Sequence, residues 1–323
     1  MIKIIIARLT DTLKTKYNVL SKTLYVVPIL LIMSLTMAGG KGKFDGDTIL
    51  HHVVNDKHSV LYEIHDPFFG TDISISKHVV MLWIVAFLTI SLSLYATRIY
   101  RKDFLARPKG LSHIFEILME FIKSDIVIPN IGKERHKMWT PLIFTFFIFI
   151  LLGNFIGMVP FFEKLHLITP GVAGSATITG NIGVTLALAT ITFFSIIIAG
   201  TLKHGFIGHW KNLIPGGVPA PVLLILIPIE IMGMIIKPAA LTLRLGANMT
   251  AGHIALVAIF GIPMILYDAG AGYSLGVSYA VVAVSVLLNT AIYFLEIIVC
   301  LVQAYVFSLL SAVFIGMAIH AHH

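Results

Sequence analysis

The sequence predicts an all-α polytopic membrane protein with about five membrane helices and one interfacial amphipathic helix. Hydrophobic residues make up 57% of the chain, charged residues only 12%, and the mean hydropathy is +0.93. Soluble domains carry about 25% charged residues. Apolar runs long enough to cross a bilayer, which takes about 20 residues, recur along the chain. The composition therefore excludes a soluble core.

The basic residues indicate how the chain is oriented in the membrane. Nine Lys and Arg residues fall between residues 98 and 137, in the loop after the first clear apolar run. Such loops are cytoplasmic. The formal charge of +7 would suggest nucleic acid for a soluble domain, but here the basic residues cluster between apolar runs. We therefore expect no nucleic-acid partner.

The N-terminus predicts export. Residues 1–23 form a basic head, residues 24–38 are a short apolar run, and the run ends in small residues. This pattern is typical of a signal peptide over residues 1–38, with a retained signal-anchor helix as the alternative. Residues 39–77 then form a periplasmic segment. It contains His51, His52, His58 and His65, but their spacing matches no known ligand set, so we predict no metal.

The membrane domain covers residues 78–323. Its first three apolar runs are His78–Thr97, Trp139–Val159, which Gly153-Asn154 interrupts, and Asn181–Leu202. In the third run Thr185 and Thr192 offer polar groups for helix packing or for lining a water path. Between the first two runs, apolar residues recur at helical spacing opposite charged ones, which predicts the amphipathic helix; the apolar ones are Ile114, Phe115, Leu118, Phe121 and Ile122.

The last two apolar runs, Pro221–Phe260 and Tyr273–Ile319, are each too long for one upright crossing. We expect tilted helices packed as a hairpin, with kinks at Pro228 and Pro238 and a break at Gly261-Ile262-Pro263. The number of crossings returns the C-terminus to the cytoplasm.

The first of these long runs contains charged residues. Glu230, Lys237 and Arg244 are spaced by seven, and Asn248 follows Arg244 by four, so they share one helix face. An Arg at the bilayer centre costs roughly 2.5–3.5 kcal/mol on insertion scales. His253 lies nine residues after Arg244, half a revolution away. A buried salt bridge, or Lys and Arg reaching to the membrane surface, is the alternative to a functional role.

A second polar stripe follows in the last run. Its members recur at intervals of four, three, four and three, which places them on one helix face: Asn289, Tyr293, Glu296, Cys300 and Gln303. The stripe could serve helix packing alone. Glu296, however, is the only acid in the run, which favours a functional role.

Particular motifs carry a resemblance to a known family. They are Lys237-Pro238, Leu243-Arg244-Leu245 with Asn248 and Ala251-Gly252, and Glu296 with Gln303-Ala304-Tyr305-Val306-Phe307. These residues resemble subunit a of F-type ATP synthases, the membrane stator beside the rotating ring of subunit c. The resemblance spans roughly Trp139 to Gly316, with weaker similarity in Asn154–Pro160 and Asn181–Leu186.

The resemblance implies specific roles. Arg244 matches the family's essential arginine and Gln303 its neighbour on the final helix. His253 and Glu296 match the positions of one acid and one histidine, in exchanged order relative to many bacterial members. Where a Phe-Gly pair is usual after Leu245, this chain has Gly246-Ala247.

The resemblance also implies a non-catalytic subunit of the complex in the bacterial inner membrane. The expected partners are the c-ring, the peripheral-stalk subunit b and lipid, and no cofactor is expected. Two proton half-channels would be separated by Arg244, with Asn248 on its face and Glu230 on the cytoplasmic side. The alternative is a free-standing transporter or channel, but such proteins show internal repeats with paired broken helices, and none is found here.

Overall fold

A computed structural model describes residues 60–62, 75–102, 109–158, 177–211, 220–268 and 275–320. The predicted signal peptide over residues 1–38 and the four histidines of the periplasmic segment lie outside these ranges. In chain order the described helices are α1 (Lys77–Lys102), α2 (Leu111–Phe121), α3 (Ile128–Ile131), α4 (His136–Met158), α5 (Ile182–His204), α6 (Phe206–Lys211), α7 (Ala220–Asp268) and α8 (Leu275–Ile319). A π-helical segment, Ile122–Val127, joins α2 to α3, and a 3-10 turn, Ile178–Gly180, precedes α5.

Five described helices are long and apolar enough to cross a membrane: His78–Tyr100, His136–Met158, Ile182–His204, Val222–Pro263 and Tyr279–Ile319. The predicted all-α polytopic fold is confirmed, and the chain is a multi-pass membrane protein. Two short antiparallel strands, β1 (Val60–Tyr62) and β2 (Ile75–Ser76), pair in the segment before α1, with Val60 opposite Ser76. Tilt and hairpin packing of the last two spans stay predictions.

Two predicted interruptions are wrong. α7 continues through Gly261-Ile262-Pro263 to Asp268, and Gly153-Asn154 lies inside α4. A proline removes one backbone donor, but ending a helix leaves several backbone groups unpaired. In lipid no water satisfies those groups, so a continuous helix is favoured over a break.

The predicted amphipathic helix is confirmed as α2, and it continues into the π-helical segment. Phe115 and Ile122 are buried, and the Phe115 ring meets Phe144 of α4 edge to face at 5.7 Å between centroids. Ile114 and Ile117 are more than half exposed. α2 therefore packs one apolar strip on α4 and leaves further apolar side chains outside, as expected of a helix at a membrane interface.

The described residues fall into two compact units, Leu50–His253 with Ile297–His323, and Ile254–Glu296. In the first unit Met81 and Val85 of α1 pack with Ile178 of the 3-10 turn, flanked by Phe149 and Ile156 of α4. The C-terminal half of α8 belongs to the same unit. Its contacts there include ring packing of Phe307 on Phe146, stacking of Tyr305 on Phe121, a Ser311–Thr192 hydroxyl pair 3.2 Å apart, and Cys300 Sγ 3.1 Å from Met158 Sδ.

Candidate functional site

The central part of α7 has one buried and one exposed face. Leu241, Leu245 and Met249 are at most 2% exposed. Leu243 is 64% exposed in this stretch. Four further exposed positions are separated by three, one and three residues and share one helix face: Arg244, Ala247, Asn248 and Ala251. The predicted polar face is confirmed for Arg244 and Asn248. Its other members are small, so a neighbouring helix could approach this face closely.

The buried face of α7 packs on the 3-10 turn and on the first turn of α5. Thr250 donates its hydroxyl to the carbonyl of Gly180 at 3.3 Å. A Cβ atom at Gly246 would lie 3.4 Å from Thr185 Oγ1 and 3.7 Å from the carbonyl oxygen of Thr179. The spacing leaves room for a methyl group and for nothing larger. Gly246 stands two residues from Arg244, nearly opposite on the helix, so this contact directs the arginine away from α5.

Helix α4 in turn positions the 3-10 segment Ile178–Gly180. The hydroxyl of Thr179 donates to the side-chain oxygen of Asn154, and both residues are fully buried. A Cβ atom at Gly157 would overlap Cα of Thr177, so only glycine allows the turn to approach α4 this closely. A line of direct contacts therefore runs from α4 through the turn to α7. These contacts determine which face of α7 is packed and therefore which face, that of Arg244, is exposed.

Sequence reasoning missed these positioning residues. It read Gly153-Asn154 as an interruption of a span, whereas the small residues at 153 and 157 form one face that receives the turn. Two small residues four apart beside a polar one are a signal for close helix packing in membranes, and it could have been used. Of the two roles left open for Thr185 and Thr192, both residues take part in packing, against Gly246 and Ser311.

Arg244 has no carboxylate partner within the described part of the chain. An arginine guanidinium is a permanent cation in proteins. A charged residue in a membrane helix is expensive unless it faces protein or water. Lys237 is exposed and Glu230 is half-buried on the same helix. The exposed face around Arg244 therefore calls for water or an acidic partner beside it.

The polar stripe of α8 is buried along its whole length. The exposed fractions are 1% for Asn289, 5% for Tyr293, 2% for Glu296, 0% for Cys300 and 6% for Gln303. Glu296 belongs to the unit Ile254–Glu296, whereas Gln303 and the half-buried His253 belong to the other unit. The pairing of His253 with Glu296, and the neighbourhood of Gln303 and Arg244, stay predictions.

Within the described ranges no group of three or more His, Cys, Asp and Glu side chains comes together. The candidate residues of α7 and α8 are one permanent cation, Arg244, two amides, Asn248 and Gln303, two carboxyl groups, Glu230 and Glu296, and one imidazole, His253. These groups can hold charge, hydrogen-bond water and exchange protons.

The fold and these two helix faces define a multi-pass membrane protein with an exposed cation on one long helix, unpaired with any carboxylate of the described residues, and a buried acid on the next. The ATP synthase A chain family matches residues 79–316. "ATP synthase subunit a 2" of Chlorobium luteolum is 42% identical over 291 residues, covering 87% of this chain and 78% of that protein. "ATP synthase subunit a" of Myxococcus xanthus is 41% identical over 254 residues, covering 78% and 75%. The chain belongs to the ATP synthase A chain family.

Proposed function

We propose that this chain is the stator of the proton channel of an F-type ATP synthase in the bacterial inner membrane. The observation that carries the proposal is Arg244, exposed and without a carboxylate partner in the described chain, on the face of α7 opposite its packed side. Family membership supplies the context. The subunit catalyses no bond-making itself; it guides protons to and from carboxylates on a rotating c-ring, and a peripheral stalk with subunit b holds it.

The ring carries protons as neutral acids, because ions do not cross hydrocarbon. Arg244 favours the ionised form of any carboxylate that comes to face it, so it drives proton release as the ring turns. It also repels protons, which keeps the two aqueous half-channels separate. Ala247 and Ala251 leave room for a ring helix beside the guanidinium.

Each half-channel needs groups that titrate or bind water. Glu296 and His253 form the relay on the periplasmic side, and Glu230 lines the cytoplasmic side. Asn248 shares the face of Arg244, and Gln303 neighbours it from the last helix. The basic loop between α1 and α4 lies in the cytoplasm with the C-terminus, and the segment before α1 lies in the periplasm. Each proton that falls through roughly 100 mV delivers about 2.3 kcal/mol to rotation.

Substitution of Arg244 tests the proposal. Arg244→Ala should abolish proton-driven ATP synthesis in membrane vesicles, and Arg244→Lys should restore little, because a lysine enclosed between this chain and the ring can lose its charge. Met232→Ala is the matched control, since Met232 is 57% exposed on the same helix. Synthesis at the control rate by Arg244→Ala would overturn the role of Arg244.

Co-purification separates the stator from a free-standing transporter. The detergent-extracted chain should travel with a small ring-forming membrane protein and with a stalk subunit. A chain that purifies alone, yet exchanges ions after reconstitution, would favour the transporter.

A further inference from the structure

The C-terminal end of α8 is bonded to the ends of two other helices. Nε2 of His320 lies 3.1 Å from the carbonyl oxygen of Ile131, the last residue of α3. Nε2 of His204, the last residue of α5, lies 3.2 Å from the carbonyl oxygen of Ile319. A carbonyl oxygen only accepts, so each of these ring nitrogens carries a hydrogen and donates it. Carbonyls at helix ends have no partner within their own helix, and here two of them are satisfied by histidines of other helices.

Two further contacts join α8 to the same part of the chain. A Cβ atom at Gly316 would overlap the carbonyl oxygen of Asn130, so only glycine allows α8 to approach α3 this closely. The side chain of Asn130 donates to the carbonyl oxygen of Ile126 at 2.7 Å, which holds it within its own segment. Three turns nearer the N-terminus of α8, the Tyr305 ring stacks on Phe121 with 6.0 Å between centroids and 29° between planes.

These contacts share one face of α8. Tyr305, Gly316 and His320 are separated by eleven and four residues, which is close to three turns and one turn. The helical turn still includes His320, whose amide donates to the Gly316 carbonyl at 2.8 Å. Gln303 and Cys300 precede Tyr305 by two and five residues, so they lie about 160° and about 140° from it around the helix. The chain therefore holds α8 from the side that faces away from Gln303.

The segment that supports α8 is itself firmly packed. Four of its side chains are at most 1% exposed: Ile122, Ile126, Val127 and Ile131. The edge-to-face contact of Phe115 with Phe144 joins the preceding helix α2 to α4. All these residues belong to one compact unit with the C-terminal half of α8. Close-packed interiors of this kind transmit a displacement because they cannot absorb it.

We propose that Gly316 and His320 are positioning residues, whose contacts with Asn130 and Ile131 fix the rotation of α8 about its axis and thereby orient Gln303. Gly316 and Gln303 are thirteen residues apart, about 20 Å along one continuous helix, so a rotation at one end reaches the other. The consequence for proton transport rests on the proposed function, in which Gln303 neighbours Arg244. The consequence for the position of α8 does not.

Cys300 reports the position of α8. It is the only cysteine of the chain, it is fully buried, and its Sγ lies 3.1 Å from Sδ of Met158 on α4. The purified complex is treated with N-ethylmaleimide, and mass spectrometry follows modification of the peptide that carries Cys300. His320→Ala should raise the modification rate roughly fivefold, since one hydrogen bond changes a local equilibrium by about that factor. His320→Gln should stay near the native rate, because its side-chain amide can donate to the same carbonyl.

Gly316→Ala perturbs the same contact from the other side. Its methyl group would overlap the Asn130 carbonyl and push α8 away from α3, so modification of Cys300 should again rise. Gly233→Ala is the matched control, because it makes the same change on α7 where nothing in the described chain lies within 4 Å of the Cβ position. It should leave the modification rate at the native value. If Gly316→Ala does not assemble, the comparison of His320→Ala with His320→Gln decides the question.

The ratio of protons pumped to ATP hydrolysed tests the positioning role. His320→Ala and Gly316→Ala should lower this ratio toward the value of Gln303→Ala, and His320→Gln should restore it. A native modification rate in both His320→Ala and Gly316→Ala would overturn the proposal. Raised modification with a native proton ratio would overturn the positioning role when Gln303→Ala lowers that ratio. If Gln303→Ala leaves the ratio unchanged, the proposed role of Gln303 is wrong, and the modification rates alone decide whether these contacts hold α8.

Discussion

Gly246→Leu should loosen the packing that directs Arg244. A Cβ atom at position 246 already meets Thr185 Oγ1 at 3.4 Å and the Thr179 carbonyl at 3.7 Å, so the outer carbons of leucine have no space. Overpacking of this kind costs about 1–3 kcal/mol. Displacement of α7 would also weaken the Thr250–Gly180 hydrogen bond, worth about 1 kcal/mol. The higher helix propensity of leucine returns about 0.8 kcal/mol. The net cost is about 1–3 kcal/mol.

Two matched variants isolate this effect. Gly246→Ala places a methyl group in ordinary contact and should be neutral or slightly stabilising. Gly233→Leu introduces the same side chain on the same helix, where nothing lies within 4 Å of the Cβ position. It should leave the thermal stability of the complex unchanged, because it meets no neighbour within the described chain.

The assay is thermal inactivation of the purified complex together with the ratio of protons pumped to ATP hydrolysed. Gly246→Leu should lower the inactivation temperature, because the packing of α7 is weakened. It should also lower the ratio of protons pumped to ATP hydrolysed, because a displaced arginine no longer separates the half-channels. If Gly246→Leu and Gly233→Leu lower the thermal stability alike, the packing argument is refuted.

Three further predictions concern other residues. Asn154→Leu removes the acceptor of the buried Thr179 hydroxyl and should cost about 1–3 kcal/mol in thermal stability of the complex. Asn154→Asp keeps an acceptor oxygen and should lose less stability. An unchanged stability in Asn154→Leu would contradict the role of the turn. Burial and, secondarily, the charge of His204 lower the pKa of His209 below 6.5. Below pH 6.5 the unfolded segment therefore binds a proton that the folded segment does not, so the packing of α6 should weaken as pH falls. Hydrogen exchange over residues 206–211, corrected for intrinsic rates, should show this loss in the native chain and lose its pH dependence in His209→Phe. Glu296→Gln and His253→Ala should each slow passive proton flux through vesicles stripped of the catalytic sector, and unchanged flux in both variants would refute the relay.

Hydropathy predicted the membrane spans because an apolar run in lipid has to satisfy its own backbone hydrogen bonds. The same principle explains why the predicted helix break at Gly261-Ile262-Pro263 is wrong. Glycine and proline there signal a break, but the helix continues to Asp268. Helical spacing alone predicted that Arg244 and Asn248 share a face.

The small residues at 153 and 157 signal close packing of α4, but the partners of the residues that hold α7 could not be read from local patterns. Thr179 and Asn154 are 25 residues apart, and Thr250 and Gly180 are 70 apart. Such pairs form only between helices that are neighbours in the fold. The periodicity of a single sequence does not show which helices are neighbours. Gly246, by contrast, stood out only as a departure from the Phe-Gly pair usual in the family, and the close contact with α5 now gives a physical reason for it.

The most direct measurement is the distance between the Arg244 guanidinium and the nearest carboxylate of the rotor, in a cryo-EM structure of the assembled complex. We predict that the two groups face each other in the membrane, in contact or through one water, at roughly 3–6 Å. An arginine that faces lipid, or that pairs with a carboxylate of its own chain, would contradict the account.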